Sequence, residues 1–178
     1  MKDLLNDFKY GKPYEHLRGV SERYPDEKFY KLQSISATRF AGYFFLVLKA
    51  ILLDIKFIIV ALEERALESR NEEAKRLLKS IANLKFLSLL SGMIDIYAVI
   101  AKLSAKLQTV NLFIWERRLA VQAAITTMKQ MKTAFQSDDL HLDLNLWPQC
   151  HAYWPQLRSN TLVRDIPYLE QDNGRFYN

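Results

Sequence analysis

Residues 40–62 read FAGYFFLVLKAILLDIKFIIVAL, and their reading decides the fold. Only Lys49, Asp54 and Lys56 interrupt the apolar character, and the stretch contains no Pro. Lys49, Lys56 and Glu63 recur every seven residues, so on a helix they fall on one narrow stripe and leave the rest of the circumference apolar. A helix apolar over most of its surface is buried on several sides. The spacing therefore predicts a central helix that opens at Thr38, a good N-cap residue, and runs to about Leu67, with other helices packed around it. No uninterrupted apolar run here approaches the ~18–20 residues of a membrane span, so no membrane partner is expected.

Before this helix, residues 1–37 read as short helices. Leu4, Leu5 and Phe8 share a face, Pro13 suits a first helical turn, and Leu17, Val20 and Tyr24 follow at helical spacing. Pro25 ends that helix, and Asp26 is placed to cap a further one burying Phe29, Tyr30 and Leu32. After the central helix, Ser69 three residues ahead of Glu72 forms a capping-box signature, and Leu77, Leu78, Ile81 and Leu84 give the next apolar face. That helix either runs on or bends near Asn83. Phe86, Leu90, Met93, Tyr97, Ile100 and Leu107 then repeat in steps of four and three, with Ser104 filling one step, opposite Ser88, Ser91, Asp95, Lys102 and Lys106. Asn111 is placed to cap a last helix with Ile114, Val121, Ile125, Met128 and Phe135 on its apolar face.

No Pro occurs between Pro25 and Pro148, and the only Gly residues there are Gly42 and Gly92. Residues 38–135 are thus expected to form an all-α bundle. From 136 to 178 the pattern changes. Leu140, Leu142, Leu144 and Leu146 alternate with polar residues, the period of one short strand at 140–146. Trp147-Pro148, Trp154-Pro155 and Ile166-Pro167 then exclude long helices, so this tail is expected to be irregular or extended. No internal repeat or heptad coiled coil stands out.

The 178 residues are 49% hydrophobic and 25% charged, which fits one folded domain with a tail and excludes a wholly disordered chain. Residues 1–10 carry charge throughout and lack the apolar core of a secretory leader. The formal net charge of +5 is unevenly spread. Residues 38–135 hold 15 basic and 8 acidic side chains, whereas residues 136–178 hold 3 and 6. A basic middle suits a polyanion, although a solvated helix surface has the same composition.

Catalytic motifs are not found. Five scattered glycines make no phosphate-cradling loop, and neither a Gly-x-Ser-x-Gly elbow nor a His-Glu-x-x-His pair occurs. His141, Cys150 and His151 are the only clustered candidate metal ligands, and adjacent Cys150 and His151 do not readily face one tetrahedral ion. Asp138, Asp139 and Asp143 resemble nuclease carboxylates only in type; a solvated loop with one outward-facing Asp is the expected explanation. Neither a metal nor another cofactor is expected. Arg117, Arg118, Lys129 and Lys132 lie on one predicted helix beside Trp115, a combination suited to holding phosphates and stacking a base. Lys102 and Lys106 extend that surface if the two helices pack side by side.

Three segments in order resemble the middle of a hAT-superfamily DNA transposase or a host protein derived from one: Thr38-Arg39-Phe40, then Lys85-Phe86-Leu87, then Asp95 ahead of Leu103-Ser104-Ala105-Lys106-Leu107-Gln108. The resemblance covers about residues 1–135 and implies the helical insertion of a split RNase H-like domain. It implies DNA contact at Arg39 and Phe40, and a nuclear setting where composition alone points to the cytoplasm. The family has Trp where this chain has Phe40, a smaller ring with no N–H for stacking on a base. The family's catalytic carboxylates fall outside the matching segment, and without them two-metal strand cleavage has no mechanism. The expected function is therefore that of a catalytically inactive hAT relative that keeps nucleic-acid contact through Arg39, Phe40, Arg117 and Arg118. The alternative is a helical protein-interaction module without DNA binding. A bundle cut from a larger domain also implies uncovered apolar surface and self-association.

Overall fold

The computed structural model describes residues 2–8, 10–32, 41–68, 71–136 and 147–150. The chain is all-α. In order, the helices are α1 Lys2–Asp7, α2 Lys12–Glu22, α3 Ala41–Leu53, α4 Ile55–Glu68, α5 Glu72–Ile81, α6 Leu84–Leu107 and α7 Ile114–Gln136, and no strand occurs among the described residues. The proposed strand at 140–146 lies outside them.

The long apolar run is buried, as its composition requires, but it forms two helices rather than one. The break falls at Asp54, although helical hydrogen bonds still run from Asp54 N–H to Ala50 O (2.9 Å) and from Ile58 N–H to Asp54 O (3.0 Å). The two halves serve different neighbours: α3 packs chiefly on α6, and α4 packs on α5 and α2. Leu48, Ile51, Ile58 and Leu62 are fully buried along this axis. Each contributes about 1.5–3 kcal/mol of transfer free energy. One apolar core takes in α1 through α6, and Leu4, Phe8, Leu17 and Val20 carry the two short N-terminal helices into it.

Residues 23–32 correct the expectation of a helix after Asp26. They form turns and extended chain, because tertiary partners outcompete the local helix. Asp54 takes the Tyr30 N–H at 3.0 Å, and Phe29 and Tyr24 pack their rings on Phe57, with centroids 6.2 and 5.8 Å away. Lys56 lies 4.4 Å from the Tyr24 ring centroid and pairs with Glu27, while Arg23 donates to both oxygens of Glu64 at 2.7 and 2.9 Å.

Two helix starts also differ from expectation. The α5 N-cap is Asn71, whose side-chain oxygen accepts the N–H groups of Glu73 and Ala74; Ser69 lies outside the described residues. Asn111 is exposed and caps nothing, since α7 begins three residues later. There Glu116 reaches back to the Phe113 N–H (2.9 Å), the reciprocal half of a capping box. Of the two possibilities at Asn83, the structure has a break. Asn83 Nδ2 donates to Ser80 O at 2.7 Å and Lys79 O at 3.4 Å, and its Oδ1 accepts the Phe86 N–H at 2.8 Å. One side chain thus closes α5 and opens α6.

α6 and α7 form an antiparallel hairpin, and α7 packs on α6. By length and composition, Lys85–Leu107 is long and apolar enough to cross a membrane, a test that core helices also pass. In this fold α6 lies between α3 and α7, with Leu87, Leu90 and Ile94 buried and Leu89 and Ile96 exposed. Ser91 and Asp95, expected on its polar side, are buried as well.

Candidate functional site

Of the residues singled out for nucleic-acid contact, Arg39 and Phe40 lie outside the described residues. Arg117 and Arg118 are exposed in the first turns of α7. Trp115 (59% exposed) stacks on Phe113 (60% exposed), with ring centroids 4.6 Å apart and planes within 5°. A solvent-facing aromatic stack thus precedes two arginines by two residues. The packing of α6 against α7 also meets the condition for Lys102 and Lys106 to join this end of the hairpin. Both line a groove of about 320 Å³ between the helices, floored by small side chains such as Ala98, Ala120 and Ala124.

The largest departure concerns which way α7 faces. Ile114, Val121, Ile125, Met128 and Phe135 were expected to be its buried side. Instead Ile114 is 81%, Ile125 47% and Phe135 68% exposed, with Val121 and Met128 half-buried. On the side toward α6, Ala120, Ala124 and Thr127 line the groove, and Met131 and Ala134 pack in a cluster with Val99 of α6. Small side chains let two helices approach closely. Ile114 and Ile125 therefore point outward, interleaved with the exposed Arg117, Arg118, Lys129 and Lys132, whereas Phe135 rests its ring on Trp147 with centroids 5.7 Å apart. Between Asp95 and Asp138 the only acidic residue is Glu116, whose carboxylate is engaged by the Phe113 N–H.

The described titratable groups with large pKa shifts are structural. Burial raises the Asp54 carboxyl to about 8 against the opposing pull of the Tyr30 N–H; one of its oxygens, Oδ2, has no partner. Asp95 is raised by burial to about 6 while it accepts the N–H groups of Gln149 (3.0 and 3.2 Å) and Cys150 (3.0 Å). These amides belong to the helical residues 148–150, so Asp95 caps a distant segment and holds it on α6. Trp147 and Cys150 then bury against Met131, Val99 and Ala134.

This clasp was not read from the sequence. The available signal was an Asp sharing a helical face with Ser91, on a helix otherwise rich in apolar residues. Burial, with Asp95 nearby, pushes the Cys150 thiol up to about 12, which removes it as a nucleophile at neutral pH. Asp138, Asp139, Asp143, His141 and His151 lie outside the described residues. Among the described residues no group of three or more His, Cys, Asp or Glu side chains is arranged to hold a metal ion. No family model matches this chain, and neither does any curated protein or solved structure.

Proposed function

We propose that this chain is an all-helical interaction module without catalytic chemistry of its own, and that the outward face of α7 is its working surface. The supporting observation is the orientation of α7. It turns small side chains toward the groove it shares with α6 and leaves Ile114 and Ile125 in water. Contiguous large apolar side chains at a protein surface mark interaction sites. A hAT-type helical insertion is the origin that the ordered segments Thr38-Arg39-Phe40, Lys85-Phe86-Leu87 and Leu103–Gln108 support.

The experiment is the double variant Ile114→Ser/Ile125→Ser, neither residue of which belongs to the apolar core. Binding of an apolar dye should fall at least about twofold, while helicity stays the same and Tm moves by no more than about 3 °C. A Tm loss of about 10 °C or more would show these residues to be core, and the reading would fail. A second reading, nucleic-acid contact, is favoured by the Phe113–Trp115 stack beside Arg117 and Arg118. Aromatic platforms with adjacent cations bind single strands in this way.

A further inference from the structure

We infer that α7 is one half of a heterotypic coiled coil whose other half is an acidic amphipathic helix of a partner protein. This rests on the reading of α7 as the docking face and adds the partner's chemistry. From Ile114 a seam steps to Arg118, Val121, Ile125, Met128 and Lys132, alternating four and three residues, with Val121 and Met128 half-buried; the next step, Phe135, is already taken by Trp147. That spacing keeps one seam facing a second helix from Ile114 to Lys132, a little under three heptads. The sequence alone did not present it as a seam, because the cations at Arg118 and Lys132 interrupt its apolar run. Only the fold shows that this interrupted face is open, through the exposure of Ile114, Arg118, Ile125 and Lys132.

The charges select the occupant. Arg118 and Lys132 hold the same heptad position as Ile125, and Arg117 and Lys129 flank them with the same sign. Parallel pairing with a second copy would set Arg118 against Arg118 and Lys132 against Lys132. Antiparallel pairing centred on Ile125 would set Arg118 level with Lys132. Either arrangement forces like charges into a desolvated seam, which costs more than the apolar contacts return. A duplex would answer the cations but offers nothing to Val121, Ile125 and Met128. A helix with Leu or Ile along its seam, and Glu or Asp opposite Arg118 and Lys132, answers both.

The test uses the full chain and two synthetic helical peptides of about three heptads, identical in their Leu seam. One carries Glu, and the other Lys, at the flanking positions and opposite the two cations. Fluorescence anisotropy should show the Glu peptide binding at least about tenfold tighter than the Lys peptide, with the advantage shrinking as salt rises. Arg118→Glu/Lys132→Glu should reverse the preference, and Ile125→Asp should abolish Glu-peptide binding, with circular dichroism unchanged in both.

Equal binding of the two peptides, no binding of either, or a preference that survives the charge reversal would overturn the inference. So would a random-sequence duplex that binds, and is lost on the charge reversal, while neither peptide binds. If Ile114→Ser/Ile125→Ser melts the fold, the underlying reading fails. If the face proves open but does not discriminate the peptides, only the coiled coil fails.

Discussion

Asp54 is where a single residue does most to shape the molecule. It sits in the apolar stripe with Val47, Ile51, Ile58 and Ala61, all buried, and is itself fully buried. A carboxyl group there must find donors or lose its charge. It recruits the Tyr30 N–H and loses its charge as well, with its pKa raised to about 8. Because the folded value lies above the unfolded value of about 4, folding takes up a proton. This residue's contribution is therefore fullest below about pH 4 and is lost as pH rises toward about 8. Asp95 acts in the same sense over the narrower range up to about 6. Thermal melts should show Tm declining from pH 6 to pH 8. Asp54→Asn keeps an acceptor for Tyr30 and cannot ionise, so it should flatten that decline and raise Tm at pH 8 by several degrees. An Asn variant melting below the native chain at pH 8 would show that the carboxyl is ionised in the fold. The residue's burial was legible from its helical position, but its partner was not, since Tyr30 lies 24 residues away and was expected inside a helix.

At the scale of elements, local signals located most helices, and tertiary contacts decided the rest. Pro25, Asn83 and the Pro-free stretch marked real boundaries because their effects are local. Residues 23–32 were misread because Asp54 and Phe57, far along the chain, supply better partners than a short helix offers. The face of α7 was misread for a different reason. Periodicity shows that a face is apolar, whereas the choice of buried face depends on which side chains let another helix come close. On α7, Ala120, Ala124 and Ala134 are half-buried while Ile114 and Ile125 stay exposed. Asn83 permits a direct test of the α5–α6 junction. Asn83→Ala removes three hydrogen bonds at once, one opening α6 and two closing α5. It should cost about 1–2 kcal/mol in chemical denaturation, and Asn83→Asp, which keeps the acceptor for Phe86 N–H, should cost less. Equal losses for Ala and Asp would show that the N-cap bond contributes nothing.

Across the whole molecule, charge and apolar surface are divided unevenly. Among the described residues the core shared by α1 to α6 is continuous, and α7 adds the small cluster around Met131, Trp147 and Cys150. The hairpin's open surface is also the most basic part of the chain, with Lys102, Lys106, Arg117, Arg118, Lys129 and Lys132 against the single acid Glu116 from Leu103 to Gln136. This division separates the two readings of function, because they respond differently to salt. Contact with a polynucleotide through Arg117 and Arg118 releases one condensed counterion per phosphate met, so log K must fall linearly with log salt. Removing both side chains in Arg117→Ala/Arg118→Ala should flatten that slope by about 1.4–2 and weaken binding to random sequences uniformly, whereas Trp115→Ala should weaken single-strand binding and leave the slope in place. Titrations of a labelled oligonucleotide at several salt concentrations measure both quantities. A chain with no affinity at low salt, or a slope untouched by losing the two arginines, would leave the apolar seam of α7 as the only function this face supports.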